Sequence, residues 1–300
     1  MREKFLIVLF IAAAVLVEMF PSVNAQDAAS KAQQLIAQAR TALGGDKLKS
    51  VTSLSATGSY RRMLGGREMA GEVQFDLVLP DKMIRVETMN PIGSVEITRL
   101  EAIKGDSVWM DQQTSGGGGG MVMIRRPGGD SPQGLEMQKN SIRADFARTT
   151  LGLLLTTLST FPVEYSYAGE ADSPDGKADV LDVKGPNNFA ARLFLDQKSH
   201  KPLLLSYQSR KPRMITQTIQ GQGQHRSEEE IKKQIEEAEA KAAAEPLVEF
   251  QIFFNDYRDV NGVSLPHRLT RSVENEVSEE TEITKYKINP SIKADRFEKK

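Results

Sequence analysis

Val73-Gln74-Phe75-Asp76-Leu77-Val78-Leu79-Pro80-Asp81-Lys82-Met83-Ile84-Arg85-Val86-Glu87-Thr88 alternates apolar and polar side chains, breaks at Pro80-Asp81 and resumes. A period of two is that of an extended strand with one face in a core, and Pro-Asp carries turn chemistry. Val73, Phe75, Leu77 and Leu79 mark one face of the first strand, and Ile84, Val86 and Thr88 one face of the second. Upstream, Leu54, Ala56, Gly58 and Tyr60 keep the same period, as do Val95 and Ile97 downstream. The breaks at Gly65-Gly66, Asn90-Pro91 and Gly105-Asp106 lie too close together for crossover helices, so the path is an antiparallel meander.

The second half repeats the pattern through Val163, Tyr165 and Tyr167, then Leu181 and Val183, Leu193 and Leu195, and Leu203, Leu205 and Tyr207. Further strands fit Val248 to Phe254, Val263 to Arg271 and Glu280 to Ile288. About ten to twelve strands in one sheet predict strong curvature or closure. An all-β sandwich with peripheral helices is the alternative.

Two stretches have helical spacing. Ala28, Ala32, Leu35, Ile36, Ala39 and Leu43 recur at three and four residues after Asp27, a candidate cap, and end at Gly44-Gly45, a left-handed stop. Leu135 to Leu158 places Ile142, Phe146, Leu153 and Leu154 on a helix whose last turn, Leu151 to Leu155, is unusually apolar, as core or as a movable cover over an apolar cavity. Gly116 to Gly120 lacks the Lys-Ser/Thr ending of a phosphate loop and reads as a hairpin loop. Gln217 to Glu245 is a polar insertion, with a capping box at Ser227 and Glu230, and Glu228–Lys232 and Glu229–Lys233 pairs. It serves either as a solvated excursion or as a docking helix.

Arg2 and Lys4, the apolar run Phe5 to Val17, and Val23-Asn24-Ala25 have the order of a secretory signal peptide, with cleavage expected after Ala25. A signal anchor is the alternative, but spanning needs roughly 20 apolar residues and Glu18 interrupts the run. The mature chain is then 300 − 25 = 275 residues, one domain over 26–300, and a bacterium with two membranes would hold it in the periplasm.

Lys plus Arg at 39 against Asp plus Glu at 40 leaves no basic surplus for a nucleic acid partner. With no cysteine, disulfides, thiolate metal sites and a Cys nucleophile are excluded. His200, His225 and His267 have no ligand spacing to one another. His225 with Glu228 forms only a weak i, i+3 metal pair, so no metal, cofactor or catalytic residue is expected. Paired carboxylates for glycoside chemistry stay open, because their separation is three-dimensional. Trp109, the sole tryptophan, makes a poor sugar platform.

Several phrases carry a resemblance: Ala42-Leu43-Gly44-Gly45-Asp46-Lys47-Leu48, Val51 to Gly58, Leu195-Asp196 with Lys201-Pro202-Leu203, and Asp256-Tyr257-Arg258-Asp259-Val260-Asn261-Gly262-Val263-Ser264-Leu265-Pro266. Together they resemble the exported bacterial proteins related to LolA/LolB-type lipoprotein carriers, the outer-membrane lipoprotein-sorting proteins. Only Gly116 to Gly120 and the Gln217 to Glu245 insertion fall outside it. The resemblance implies a mainly β chain with α elements, a strongly curved antiparallel half-barrel enclosing a helical lid. It also implies an apolar concave face that shields acyl chains of a lipid or lipoprotein, and a lid latched by an arginine for which Arg85, Arg99 and Arg143 are candidates.

The expected lining is Phe75, Leu77, Val86, Ile97, Phe250, Ile252 and Phe254 from the strands, with Leu153 and Leu154 from the lid. A slip of one residue in any strand would swap its set. The competing expectation is a non-enzymatic periplasmic accessory of an inner- or outer-membrane envelope complex, which a closed, side-chain-filled interior would favour.

Overall fold

The computed structural model describes residues 25–299 apart from 65, 93–94, 116–122, 126–131, 174–175, 212–214 and 218–245. The glycine run and the charged insertion with its capping box therefore lie outside the described residues. Helix α1 (Ala25–Ala42) ends at the glycine pair: Gly44 and Gly45 have φ of 137° and 55°, and the Gly45 amide donates back to the Arg40 carbonyl at 3.0 Å. A one-turn helix, α2 (Asp46–Lys49), follows.

Five strands come next: β1 (Ser53–Leu64), β2 (Arg67–Val78), β3 (Lys82–Ile92), β4 (Val95–Lys104) and β5 (Ser107–Ser115). After a short β6 (Met123–Arg125), helix α3 (Pro132–Leu154) leads to β7 (Glu164–Ser173), β8 (Gly176–Gly185), β9 (Phe189–Asp196) and β10 (Pro202–Ser209). A short β11 (Ile215–Gln217) pairs with β6, and β12 (Val248–Val260), β13 (Val263–Val273) and β14 (Glu276–Ile288) complete the strands.

Twelve of these form one antiparallel sheet in the order β5-β4-β3-β2-β1-β14-β13-β12-β10-β9-β8-β7, open at β5 and β7. Two meanders are joined where β14 pairs with β1, from Leu54–Ile288 to Arg62–Glu279. The hairpin turns take positive φ at both central residues, at Asn261-Gly262 with 53° and 85°, the pair such a turn favours, and at Glu274-Asn275 with 49° and 66°.

Curvature follows from where α3 sits. It touches β4 and β5 at one edge and also β10, eight steps from β5 in the strand order. Within one turn of α3, Asp145 lies 3.9 Å from Arg85 on β3 and Arg148 lies 3.6 Å from the Tyr207 ring centroid on β10, strands six steps apart and so roughly 29 Å apart in a flat sheet at about 4.8 Å per strand. The sheet must therefore curl around α3, giving a mainly β half-barrel instead of the alternative two-sheet sandwich. Helix α1 packs along the edge strand β7 on the same side. One core cluster joins Leu35 and Ile36 of α1, Leu151, Leu153 and Leu154 of α3, and sheet residues from Leu54 to Tyr286.

The α3 boundary differs from the expected Leu158. The helix stops at Leu154, and buried Leu155 takes φ of 51°, its carbonyl accepting from Arg40 Nη2 at 2.8 Å. An apolar run continues the pattern past the stop, because residues of the exit loop, Leu158 and Phe161, are buried too.

Candidate functional site

Register decides which side chains meet α3. Leu54 pairs with Leu77, Leu77 with Met83 and Met83 with Ile103, so these four share the concave face. Ile252 and Phe254 pair with Arg271 and Leu269 and face the same way. Against them lie Leu151, Leu153 and Leu154, all buried. The helix comes closest at Gly152, where a Cβ would lie 1.9 Å from the Phe254 ring.

Eight of the nine expected lining residues lie on that face, and seven of them take part in its apolar clusters. Leu77, Leu153, Leu154, Ile252 and Phe254 are buried in the main cluster, and Phe75 packs half-buried against it. Ile97 is buried in a smaller concave cluster with Tyr60, Val73 and Met89. Phe250 shares the parity of Ile252 and Phe254 and so the same face, where it stacks on Tyr207 at 5.3 Å between ring centroids, outside the main cluster. Val86 is a correction. Phe75 pairs with Arg85 and Gln74 with Val86, which puts Val86 on the convex face. There Val86 packs with Ile84, Ala102 and Phe297. Ile84 and Val86 look like a core face because they do face one: the C-terminal turn Ala294–Phe297 covers the outside of β3 and β4.

Two of the latch candidates, Arg85 and Arg99, lie on the other parity of β3 and at its partner positions on β4, among residues that the sequence reading missed: Arg62, Glu87, Glu101, Arg271 and Glu279. Arg85 and Glu87 point under α3 and pair with Glu101 and Arg99 across the β3–β4 hairpin. Arg62 pairs with Glu279, and Glu279 with Arg271. The result is a band of interleaved charge across the concave face, beyond the apolar end. Arg85 and Arg99 both ion-pair with Glu101. Arg62 reaches Glu279 at 2.5 Å and Glu87 at 3.2 Å, and Arg271 reaches Glu279 at 3.5 Å. Burial would raise the Glu87 carboxyl, but Arg85, Arg62 and Arg99 together hold it down at about 2. Burial likewise raises Tyr60, with Glu87 adding to it, to about 12. The sequence signal was present as complementary charges at facing register positions, but register is not written in the strand itself.

Helix α3 contributes Asp145 and Arg148 to this band. Asp145 lies 2.9 Å from Arg148 and 3.9 Å from Arg85. Its burial works against ionisation, yet Arg271, Arg148 and Arg85 keep its carboxyl below the usual value. The Arg148 guanidinium stands 3.6 Å from the Tyr207 ring centroid. Of the three latch candidates, Arg85 faces the helix through Asp145. Arg143 instead donates to the Asp106 carbonyl at 3.0 Å, and Arg99 stays with Glu101.

The band brings carboxylates together, but as partners of arginine. Glu87 and Glu279 share Arg62, and Glu87 and Glu101 share Arg85. Glycoside chemistry needs one carboxyl kept protonated near neutrality, the opposite of the lowered Glu87. His267 is buried, with Nδ1 2.7 Å from the Ile283 carbonyl oxygen and its ring edge-on to Tyr286. His200 occupies the β9–β10 turn at φ of 59°, and His225 with Glu228 lies outside the described residues. A recess of about 480 Å³, lined by Asp76, Trp109, Arg296 and Glu298 among others, lies on the convex face by the C-terminal turn.

No family model and no curated protein matches the chain. Among solved structures it is similar to a LolA superfamily protein from Nitrosomonas europaea, 11% identical, covering 89% of this chain and 97% of that one at a TM-score of 0.48. It is also similar to an outer membrane lipoprotein-sorting protein domain from Vibrio parahaemolyticus, 13% identical, covering 90% and 97% at a TM-score of 0.47. The half-barrel itself stands on the strand order, the register and the reach of α3 from β5 to β10.

Proposed function

We propose that the chain is an exported, non-enzymatic binding protein of the periplasm, freed from its signal peptide after Ala25, that carries the acyl portion of a lipid or lipoprotein. Residues 26–300 then form one domain with the polar insertion at about 217–245. The cargo occupies the apolar end of the groove, and α3 is the lid that fills this space in the closed form. One observation carries the proposal: the apolar patch of Leu77, Ile252 and Phe254 is covered by the last turn of a single helix, whose next turns back meet a band of charge. An all-apolar seam would resist opening, whereas charged groups regain water when the helix lifts.

Replacing Leu153 and Leu154 by acyl methylenes exchanges one apolar contact for another. Each methylene contributes about 0.8 kcal/mol, so a dozen supply about 10 kcal/mol before ordering costs. Phe75, Leu77, Ile97, Phe250, Ile252 and Phe254 are the proposed lining on the sheet, with Leu153 and Leu154 on the lid.

The burial of Leu151, Leu153 and Leu154 against the sheet also favours a second role, an accessory that docks an envelope complex through its outer surface. Mass spectrometry of natively purified protein, with uptake of a fluorescent fatty acid, separates the two. A carrier holds copurifying lipid or takes up the probe; finding neither leaves the accessory role.

A further inference from the structure

Resting on the carrier proposal above, we propose that the cargo is an acidic amphiphile, whose single anionic head takes the place of the Asp145 carboxylate beside Arg85 and Arg271 when α3 lifts. The charge count of the sheet motivates this. Among the described residues of the sheet, its concave band carries Arg62, Arg85, Arg99 and Arg271 against Glu87, Glu101 and Glu279, so 4 − 3 leaves one positive charge in excess. Asp145 supplies the fourth carboxylate from the helix. Arg148 also arrives with the helix, over the Tyr207 ring, and leaves with it.

The strengths of the contacts point the same way. Within the sheet each of Glu87, Glu101 and Glu279 has a hydrogen-bonded arginine, as Arg62–Glu279 at 2.5 Å shows, whereas Arg85 and Asp145 are 3.9 Å apart, beyond hydrogen-bond reach. The sheet's own pairs therefore persist without the helix, and Asp145 is the exchangeable member. Burial opposes its charge, but Arg271, Arg148 and Arg85 favour the ionised form, and the two on the sheet, Arg271 and Arg85, would do the same for an anion held there.

Position links the head to a tail. Arg271 pairs with Ile252, and two residues along β13, Leu269 pairs with Phe254. On β2, Phe75, the partner of Arg85, is two residues from Leu77. Two residues along a strand is roughly 7 Å, so a head at the arginines starts an acyl chain directly on the apolar end. A free anion would leave that surface uncovered once the lid had moved.

The test compares palmitate with hexadecanol, equal chains with an acidic and a neutral head, by dye displacement and native mass spectrometry on the mature chain. Palmitate should bind about tenfold tighter, the worth of one charge-assisted contact. Arg271→Gln should bring that ratio to within about twofold, and Arg271→Lys should restore most of it. Thermal unfolding of both variants checks the fold, since Glu279 keeps Arg62 when Arg271 is lost. Asp145→Asn, by weakening the closed form, should tighten both ligands together.

Equal binding of the two ligands would overturn the acidic head and leave the carrier. A palmitate preference that survives Arg271→Gln would overturn the site. Binding of neither would overturn the carrier as well, and inorganic phosphate bound without either lipid would replace the amphiphile with a plain anion.

Discussion

The Phe254 ring fills the space beside Gly152: a Cβ built on the glycine would lie 1.9 Å from Cζ and 2.1 Å from Cε1. Helix and sheet are in contact here because α3 has no side chain at the point of closest approach. Gly152→Ala should therefore cost about 1–3 kcal/mol, because the ring is buried on all sides and has nowhere to turn. Thermal denaturation measures the loss. If α3 is a lid, the same variant should take up more of a fluorescent fatty acid, since the clash acts only on the closed form.

Arg85→Gln should destabilise the fold by about 3 kcal/mol, because it leaves the buried Glu87 and Glu101 short of a cation. Arg61→Gln is the matched control. Its pair with Glu280 is solvent-exposed, and the change should stay within about 0.5 kcal/mol. Urea unfolding of the two variants gives the comparison; equal losses would mean that the concave band does not hold the sheet.

Acid should weaken the protein from the band first. The Glu87 carboxyl falls from 4.5 to about 2 on folding, and that of Asp145 is lowered from 3.8. A lowered folded value stabilises above the unfolded one, so this contribution is complete above 4.5 and is lost as pH falls toward about 2. The midpoint of thermal unfolding should drop across that window, and Glu87→Gln should flatten the drop while lowering stability near neutrality.

Replacing Gly221 to Glu245 by a short Gly-Ser linker should leave thermal stability and acyl-probe uptake nearly unchanged. The segment is rich in Glu, Lys, Gln and Ala and poor in large apolar residues, and its pairs are worth about 0.2–0.5 kcal/mol each. Unfolding on deletion would make it part of the core. Intact folding with failed delivery in cells would make it a docking element.

Local chemistry made much of this protein legible from sequence. Gly44-Gly45 ends α1 and Asn261-Gly262 turns β12 into β13, because positive φ is a property of the residue itself. Alternation marked the strands and their antiparallel succession, and Leu151 to Leu155 marked the apolar end of α3.

What lies on each side of a strand was decided only by the tertiary structure. Val78, Ile84 and Val86 are apolar because Phe297, from the far end of the chain, packs over them, and that contact hid the concave parity of β3, on which Glu87 joins the latch candidate Arg85. The charge band needs β1, β3, β4, β13, β14 and α3 together, joining residues as distant as Arg62 and Glu279. Alternation has a period of two and is symmetric between faces, so it names two sets of residues without saying which is inside; the curl of the sheet around one helix makes that choice.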